Sequence, residues 1–271
     1  MIALVIAILI AGFKVNGFII TAFISLLSVA ATYEILHHIV KTGNVFRKAL
    51  ACVYAMAAFF SVSDILNGAG NAPTESRFLI LVACLLLFSM VYVLLFTLSL
   101  IREKGEFDVK EVFALLGVPF MYSAAFAALN CIITGPRGIY YLLLAVNFSS
   151  ICDTGAYFTG VAFGKHKLCE HVSPKKTVEG AIGGIVASLI GAVILSLSFK
   201  TGTNIFVLLG ITVVMCIVGM LGDLFASIIK RSVGVKDYSN LIPGHGGILD
   251  RVDSMLFIAP ALLSVILLGV V

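Results

Sequence analysis

The sequence predicts an all-α, polytopic integral membrane protein with eight to nine transmembrane helices and a polar cavity facing the cytosol. Three observations carry that expectation. Of the 271 residues, 61% are hydrophobic and only 12% charged, whereas a soluble domain carries about 25% charged residues. Apolar segments of near-span length recur along the whole chain, and 14 of its 18 Lys and Arg residues gather in alternate loops. With so little polar surface available, lipid is the expected solvent.

The first apolar segment, 2–13, has no basic leader and no small-residue cleavage site, so it reads as retained. It falls short of the roughly 20 residues a full span needs, and so reads as a tilted, partial or re-entrant helix. Segments 17–35, 46–66, 78–101 and 112–133 follow, then 139–164, 178–199, 205–229 and 254–271. The connections are short except for 165–177 and 230–251, which are polar and basic. Function is expected there, because loops on a rigid scaffold carry most binding residues.

Alternate loops hold Lys41, Arg47 and Lys48; Arg102, Lys104 and Lys110; Lys165, Lys167, Lys175 and Lys176; and Lys230, Arg231, Lys236 and Arg251. The opposite side has only Lys14, Arg77, Arg137 and Lys200. The positive-inside rule then puts both long loops in the cytosol. The expected location is a cell membrane with the polar cavity facing the cytosol and the C-terminus on the opposite side. No repeat or linker interrupts the chain, which reads as one integral membrane domain over 1–271. Its N-terminal spans occupy 1–137, and the helices and loops of the active site occupy 138–271.

The formal charge of +4 and the lack of a long basic run give no footprint for nucleic acid. Six cysteines, at 52, 84, 131, 152, 169 and 216, show neither CxxC nor His/Cys ligand spacing. They read as small apolar residues.

Three polar constellations stand out. In SSICDTGAYFTGVAFGKHKL, Asp153 sits inside an apolar helix, with Tyr157, Gly160 and Gly164 following at helical spacing. An unpaired central aspartate costs about 2.5–3.5 kcal/mol in a membrane, which points to function or to pairing with a cation. In HVSPKKTVEGAIGG, Lys175 and Lys176 stand beside Thr177, a candidate cap for the helix that Glu179 enters. Such a helix start can bind anions, although a basic loop can equally serve as an electrostatic anchor.

The third constellation is SIIKRSVGVKDYSNLIPGHGGILDRVD. Asp223, Ser227, Lys230 and Arg231 form one helical stripe. Lys236 and Asp237 come next, then the turn holding Pro243, His245, Gly246 and Gly247, and finally Asp250, Arg251 and Asp253. Asp250 and Asp253 are spaced to share a face at the start of the last helix. Carboxylates with room for water and phosphate oxygens suit Mg²⁺, and the glycines let backbone N–H groups approach a phosphate. His245 is open to a general-base role or to orienting a phosphate or carboxylate.

These residues resemble the signature of the phosphatidate cytidylyltransferase family, also called CDP-diacylglycerol synthases. Its pattern S-x-x-K-R-x4-K-D is met by Ser227, Lys230, Arg231, Lys236 and Asp237. The pattern P-x-H-G-G-x-x-D-R-x-D is met by Pro243, His245, Gly246, Gly247, Asp250, Arg251 and Asp253. The resemblance is dense from Asp153 to Asp253; before that only the pattern of spans agrees, and the chain opens directly in an apolar segment.

The resemblance implies transfer of the cytidylyl group of CTP to phosphatidic acid, giving CDP-diacylglycerol and pyrophosphate in phospholipid biosynthesis. It implies Mg²⁺, with room for a second cation, held by Asp223 and Asp250 with Asp153 or Asp253. Lys230, Arg231, Lys236 and Arg251 are then expected to meet phosphates, and Lys175 and Lys176 to clamp the nucleotide. Ser173, Thr177 and Glu179 are expected to shape that part of the pocket. The expected partners are CTP, phosphatidic acid and membrane lipids, with a homodimer among the candidate assemblies. The alternatives are a CTP-dependent lipid kinase, which would release CDP, and an ion-coupled transporter using Asp153 and Asp223.

Overall fold

The computed structural model describes residues 17–40, 45–70, 85–87, 89–95, 109–169, 172–239 and 246–270. Side chains 67–70, 109–110 and 112–113 are not described. The expected segment 2–13 and the residues Pro243 and His245 lie outside this set. The described chain is mostly helical: α1 (Gly17–Ile39), α2 (Val45–Gly70), α3 (Val109–Thr134), α4 (Gly138–Val146), α5 (Cys152–Phe163), α6 (Val178–Phe199), α7 (Ile205–Ser232), α8 (Leu249–Val252) and α9 (Met255–Leu267). Among the described residues, five helices are long and apolar enough to cross a membrane: Gly17–Ile39, Val45–Leu66, Ala114–Thr134, Val178–Phe199 and Ile205–Ser232.

Two expected segments differ in form. Segment 139–164 is two helices joined by a π-helical turn, Asn147–Ile151, and the last segment contributes a helix of 13 residues. The basic loop 165–177 also forms a small antiparallel ribbon that the all-α reading omits. In it β1 (Lys167–Cys169) pairs with β2 (Ser173–Thr177), with Lys167 opposite Thr177 and Cys169 opposite Ser173. The first strand has three residues and the second, SPKKT, has no apolar alternation, so no sequence signal announced the ribbon.

The chain divides into two compact units, one of Met1–Thr134 with Asp237–Arg251 and one of Gly135–Lys236 with Val252–Val271. In the first, α1, α2 and α3 pack on one another through large side chains, including Ile24, Ile35, Phe59 and Phe126. Hydrogen bonds link them where polar groups are buried. Asn130 donates to Ser63 Oγ at 2.8 Å and accepts from Thr21 Oγ1 at 3.1 Å. Pro119 lies inside α3 and has no N–H for the carbonyl of Leu115. The hydroxyl of Tyr92 donates to that carbonyl instead. Arg47 and Glu111, both buried, form an ion pair at 3.5 Å.

The second unit packs differently. Along α6 the buried positions are Gly180, Gly184, Ser188, Ala192 and Ser196, each four residues from the last. Ile182, Val186, Ile190 and Ile194 form the exposed stripe. A small-residue face lets helix backbones approach closely, while the large apolar face suits lipid. A Cβ on Gly184 would stand 2.5 Å from the carbonyl oxygen of Cys152, and one on Gly155 would stand 2.6 Å from the Cβ of Ala187. The pair α5 and α6 therefore depends on glycine for its separation.

Candidate active site

Within the second unit, a cavity of about 500 Å³ opens between α5, the ribbon, α6 and α7. Asp153, Tyr157, Gly160 and Val161 of α5 line it, together with Lys167 and Leu168 of β1. Lys175, Lys176 and Thr177 come from β2, Gly180 and Ala181 from α6, and Met220 and Asp223 from α7. The wall is therefore mixed, with carboxylates and lysines beside apolar side chains.

Local sequence explains how these groups arrive there. The π-helical turn Asn147–Ile151 inserts an extra residue, which rotates the following helix by about 100°. That turn sets the face on which Asp153 and Tyr157 emerge. It is held to α6 by Asn147, whose Nδ2 donates to the Ser188 carbonyl at 2.9 Å, while Ser188 Oγ donates back to the Asn147 carbonyl at 3.1 Å. Thr177 caps α6 as expected, its Oγ1 accepting from the N–H of Gly180 at 3.1 Å. That cap ends β2 where Lys175 and Lys176 face the cavity.

Glu179 has a different task from lining the pocket. Its carboxylate accepts from the N–H groups of Lys165 at 3.1 Å and His166 at 3.2 Å, and meets His166 Nδ1 at 2.6 Å. It fastens the start of the ribbon to α6. Ser173 pairs across the ribbon with Cys169.

Charge alternates through the site. Lys176 Nζ forms an ion pair with the carboxylate of Asp223, and Lys230 Nζ stands 3.9 Å from Asp253. The carboxyl groups of Asp223 and Asp253 lie close enough for the charge of one to act on the other. Burial first, and then the negative charge of Asp223, push the carboxyl of Asp253 up to about 7, while Lys230 pulls the other way. Two carboxylates held this close repel when both ionise, unless a proton or a cation lies between them.

A divalent cation fits this pair chemically, since Mg²⁺ commonly takes one or two carboxylates and keeps several waters. Among the described residues no group of three or more His, Cys, Asp or Glu side chains forms a ready-made metal cage.

The helical stripe on α7 is divided. Lys230 is buried, whereas Arg231 is exposed, with its Nη1 donating to the carbonyl of Val235 at 3.3 Å. Ser227 is half-buried. The helix ends just beyond, where Gly234 adopts φ +76°. There the Val235 N–H donates to the Lys230 carbonyl at 3.0 Å and the Gly234 N–H to that of Arg231 at 3.2 Å. This left-handed terminus satisfies carbonyls that α7 would otherwise leave open. Lys236 and Asp237 follow on the exposed surface.

Gly246, Gly247, Asp250 and Arg251 belong to the first unit. Asp250 Oδ2 accepts from the N–H groups of Tyr238 at 2.9 Å and Gly247 at 3.0 Å. Gly246 takes φ +80°, a conformation that favours glycine. Arg251 is exposed. The expectation that Asp250 and Asp253 share a helix face needs correction. The helix α8 has four residues and ends at Val252, and Asp253 lies in the turn that follows. Asp250 therefore stands in α8, while Asp253 stands outside it and before the last helix.

Two residues escaped the sequence reading. Lys167 lines the cavity but was legible only as one of several loop charges. Glu34 is buried in α1 and accepts hydrogen bonds from Ser239 Oγ at 2.6 Å and from the N–H groups of Ile248 at 3.0 Å and Leu249 at 2.9 Å. Its signal was available, because Glu34 is the only Asp, Glu, Lys or Arg in α1.

Residues 1–268 match the cytidylyltransferase family. The chain belongs to that family. The phosphatidate cytidylyltransferase of Staphylococcus haemolyticus (strain JCSC1435) is 44% identical over 155 residues, covering 57% of this chain and 56% of that protein. That of Staphylococcus aureus (strain COL) is 42% identical over 155 residues with the same coverage. The phosphatidate cytidylyltransferase of Staphylococcus saprophyticus is 41% identical over 157 residues, 58% of this chain and 57% of its own. The matched stretch thus spans little more than half the length of these relatives.

Proposed function

We propose that this chain transfers the cytidylyl group of CTP to phosphatidic acid, producing CDP-diacylglycerol and pyrophosphate. The observation that carries this reading is the mixed wall of the cavity. Asp153, Asp223, Lys167, Lys175 and Lys176 stand beside Tyr157, Val161, Leu168 and Met220. A triphosphate needs the charged part, and a lipid substrate needs the apolar part. Membership of the cytidylyltransferase family and the names of the relatives support the same substrates.

In this reaction a phosphate oxygen of the lipid attacks the α-phosphorus of CTP. The bond from that phosphorus to its bridging oxygen breaks, and both electrons leave with pyrophosphate. The attacking oxygen is already anionic, so a strong base is unnecessary and His245 suits phosphate orientation better. The difficulty is bringing two anions together and accepting charge on the leaving group, which cationic side chains address. Lys175, Lys176 and Lys167 suit the nucleotide phosphates, and Lys176 must exchange its ion pair with Asp223 for a phosphate oxygen.

Lys230, Arg231, Lys236 and Arg251 are the further phosphate ligands of the proposal, and Asp237, Ser227, Gly246 and Gly247 complete its polar set. Asp223 and Asp253 would hold Mg²⁺, with Asp153 and Asp250 as the other candidate ligands. The ion would supply positive charge to the triphosphate. The proposal also retains eight to nine spans, an inner-membrane location and a cytosolic opening, on the strength of the alternate-loop charge bias.

Purified protein in detergent, given CTP, Mg²⁺ and phosphatidic acid, is expected to release pyrophosphate and form CDP-diacylglycerol. Release of CDP with a phosphorylated lipid alcohol would establish the kinase reading instead. Release of neither product, across several lipids and divalent metals, would overturn the assignment.

A further inference from the structure

We propose that Glu34, in α1, is a positioning residue that sets the geometry of the segment carrying Asp250 and Arg251. The inference rests on the cytidylyltransfer reading above, and it assigns a role to the N-terminal spans, where the signature gives none.

Glu34 is 7% exposed and stands in a helix with no other Asp, Glu, Lys or Arg. A carboxylate in such a place is costly unless its oxygens are met by donors. Here three donors meet it. Oε1 accepts from Ser239 Oγ at 2.6 Å and from the Ile248 N–H at 3.0 Å, and Oε2 accepts from the Leu249 N–H at 2.9 Å. In sequence, Ser239 lies before Pro243 and His245, and Ile248 and Leu249 lie after them. One side chain therefore grips the chain on both sides of the signature turn.

The grip has a second part. Asp250 Oδ2 accepts from Tyr238 and Gly247, so residues 238–239 and 247–249 are tied by two carboxylates acting on alternate partners. His38, one helical turn beyond Glu34, makes a further contact, its Nε2 meeting the carbonyl of Tyr238. Gly247 completes the fit, since a Cβ there would stand 2.7 Å from one Glu34 oxygen and 2.8 Å from the other. A side chain there would push the carboxylate away, so Gly247 leaves room for its close approach, a reason for this glycine apart from phosphate binding.

Packing alone does not explain Glu34. A glutamine has nearly the same shape, yet whichever way its amide turns, its NH₂ faces a backbone N–H, that of Leu249 or that of Ile248, from which the carboxylate accepts. Neutralising Glu34 should therefore loosen residues 247–250 while leaving the α1, α2 and α3 contacts in place.

The test compares full-length wild type with Glu34→Gln and Glu34→Asp, purified in detergent. Hydrogen exchange at the amides of Ile248 and Leu249 reads the grip without requiring any activity. We expect exchange at least about tenfold faster in Glu34→Gln, with the core of α1 still protected. Unchanged protection at Ile248 and Leu249 would overturn the inference.

Pyrophosphate release reads the consequence. In Glu34→Gln, kcat should fall about tenfold to a hundredfold with KM for CTP held within about twofold, and Glu34→Asp should recover part of the loss. Activity per folded molecule equal to wild type would reduce Glu34 to a structural residue and overturn the positioning role. If wild type itself releases no pyrophosphate, the cytidylyltransfer reading and the positioning role fall together. The exchange result would then show only whether the grip itself is real.

Discussion

In the first unit, α1, α2 and α3 meet through Ile24, Ile35, Phe59 and Phe126. In the second, α6 turns Gly180, Gly184 and Ser188 inward and Ile182, Val186 and Ile190 outward. Large side chains fill the space between the helices of the first unit. Small ones bring backbones together, so that loops and charged groups at the helix ends are fixed by main-chain contact. The cavity with Asp153, Lys176 and Asp223 lies in the unit built the second way. Precise placement of charge is served there by helices that have little freedom to shift.

That contrast can be broken by substitutions of graded effect. The largest expected effect is on chemistry: Asp223→Asn should lower pyrophosphate release about a hundredfold to a thousandfold, with the protein still folded. The same variant carries a pH signature. With its carboxyl raised to about 7 from the ordinary 3.8, Asp253 contributes stability that is complete below about 3.8 and lost as pH rises through 7. Metal-free wild type should therefore melt at lower temperature at pH 8 than at pH 5. Without the Asp223 charge, the Asp223→Asn profile should be flatter, and an unchanged slope would remove Asp223 as a cause.

Next in size, Phe59→Ala should cost about 3 kcal/mol of stability through cavity formation. Activity per folded molecule should be nearly intact, as read by thermal melting beside a rate assay. In the second unit Gly184→Val should cost about 1–3 kcal/mol, because its Cβ meets the backbone oxygen of Cys152 rather than a yielding side chain. This change should also depress the specific rate, since it separates α5 from α6. Equal loss of stability with no loss of rate would erase the distinction between the units.

Smallest is Gly117→Ala. Nothing lies within 4 Å of a Cβ at Gly117, in the interior of α3, so helix propensity should dominate with a gain of about 0.5–1 kcal/mol. A loss instead would show that glycine is needed for packing in the first unit too.

Much of the fold was legible because span length and apolar composition are local properties. Segments 17–35, 178–199 and 205–229 correspond to α1, α6 and α7, and Thr177 was readable as a cap because capping depends on neighbours three residues away. The π-helical turn at Asn147 was not readable, since its apolar flanks look the same in α-helix. The α8 break before Asp253 was likewise hidden: i, i+3 spacing implies a shared face only if the helix continues. Glu179 illustrates a subtler miss, for its place beside two lysines suggested a pocket wall, while its oxygens are taken by the Lys165 and His166 backbone.

Sequence alone determined the solvent, the helical class and the identity of the polar signature, because hydropathy and motif spacing are written along the chain. Tertiary structure alone decided which charges meet. Lys176 finds Asp223 47 positions away, and Glu34 finds Ile248 214 positions away. No periodicity encodes such partners, because they depend on how close the helices come. That distance is set by the residues buried between them.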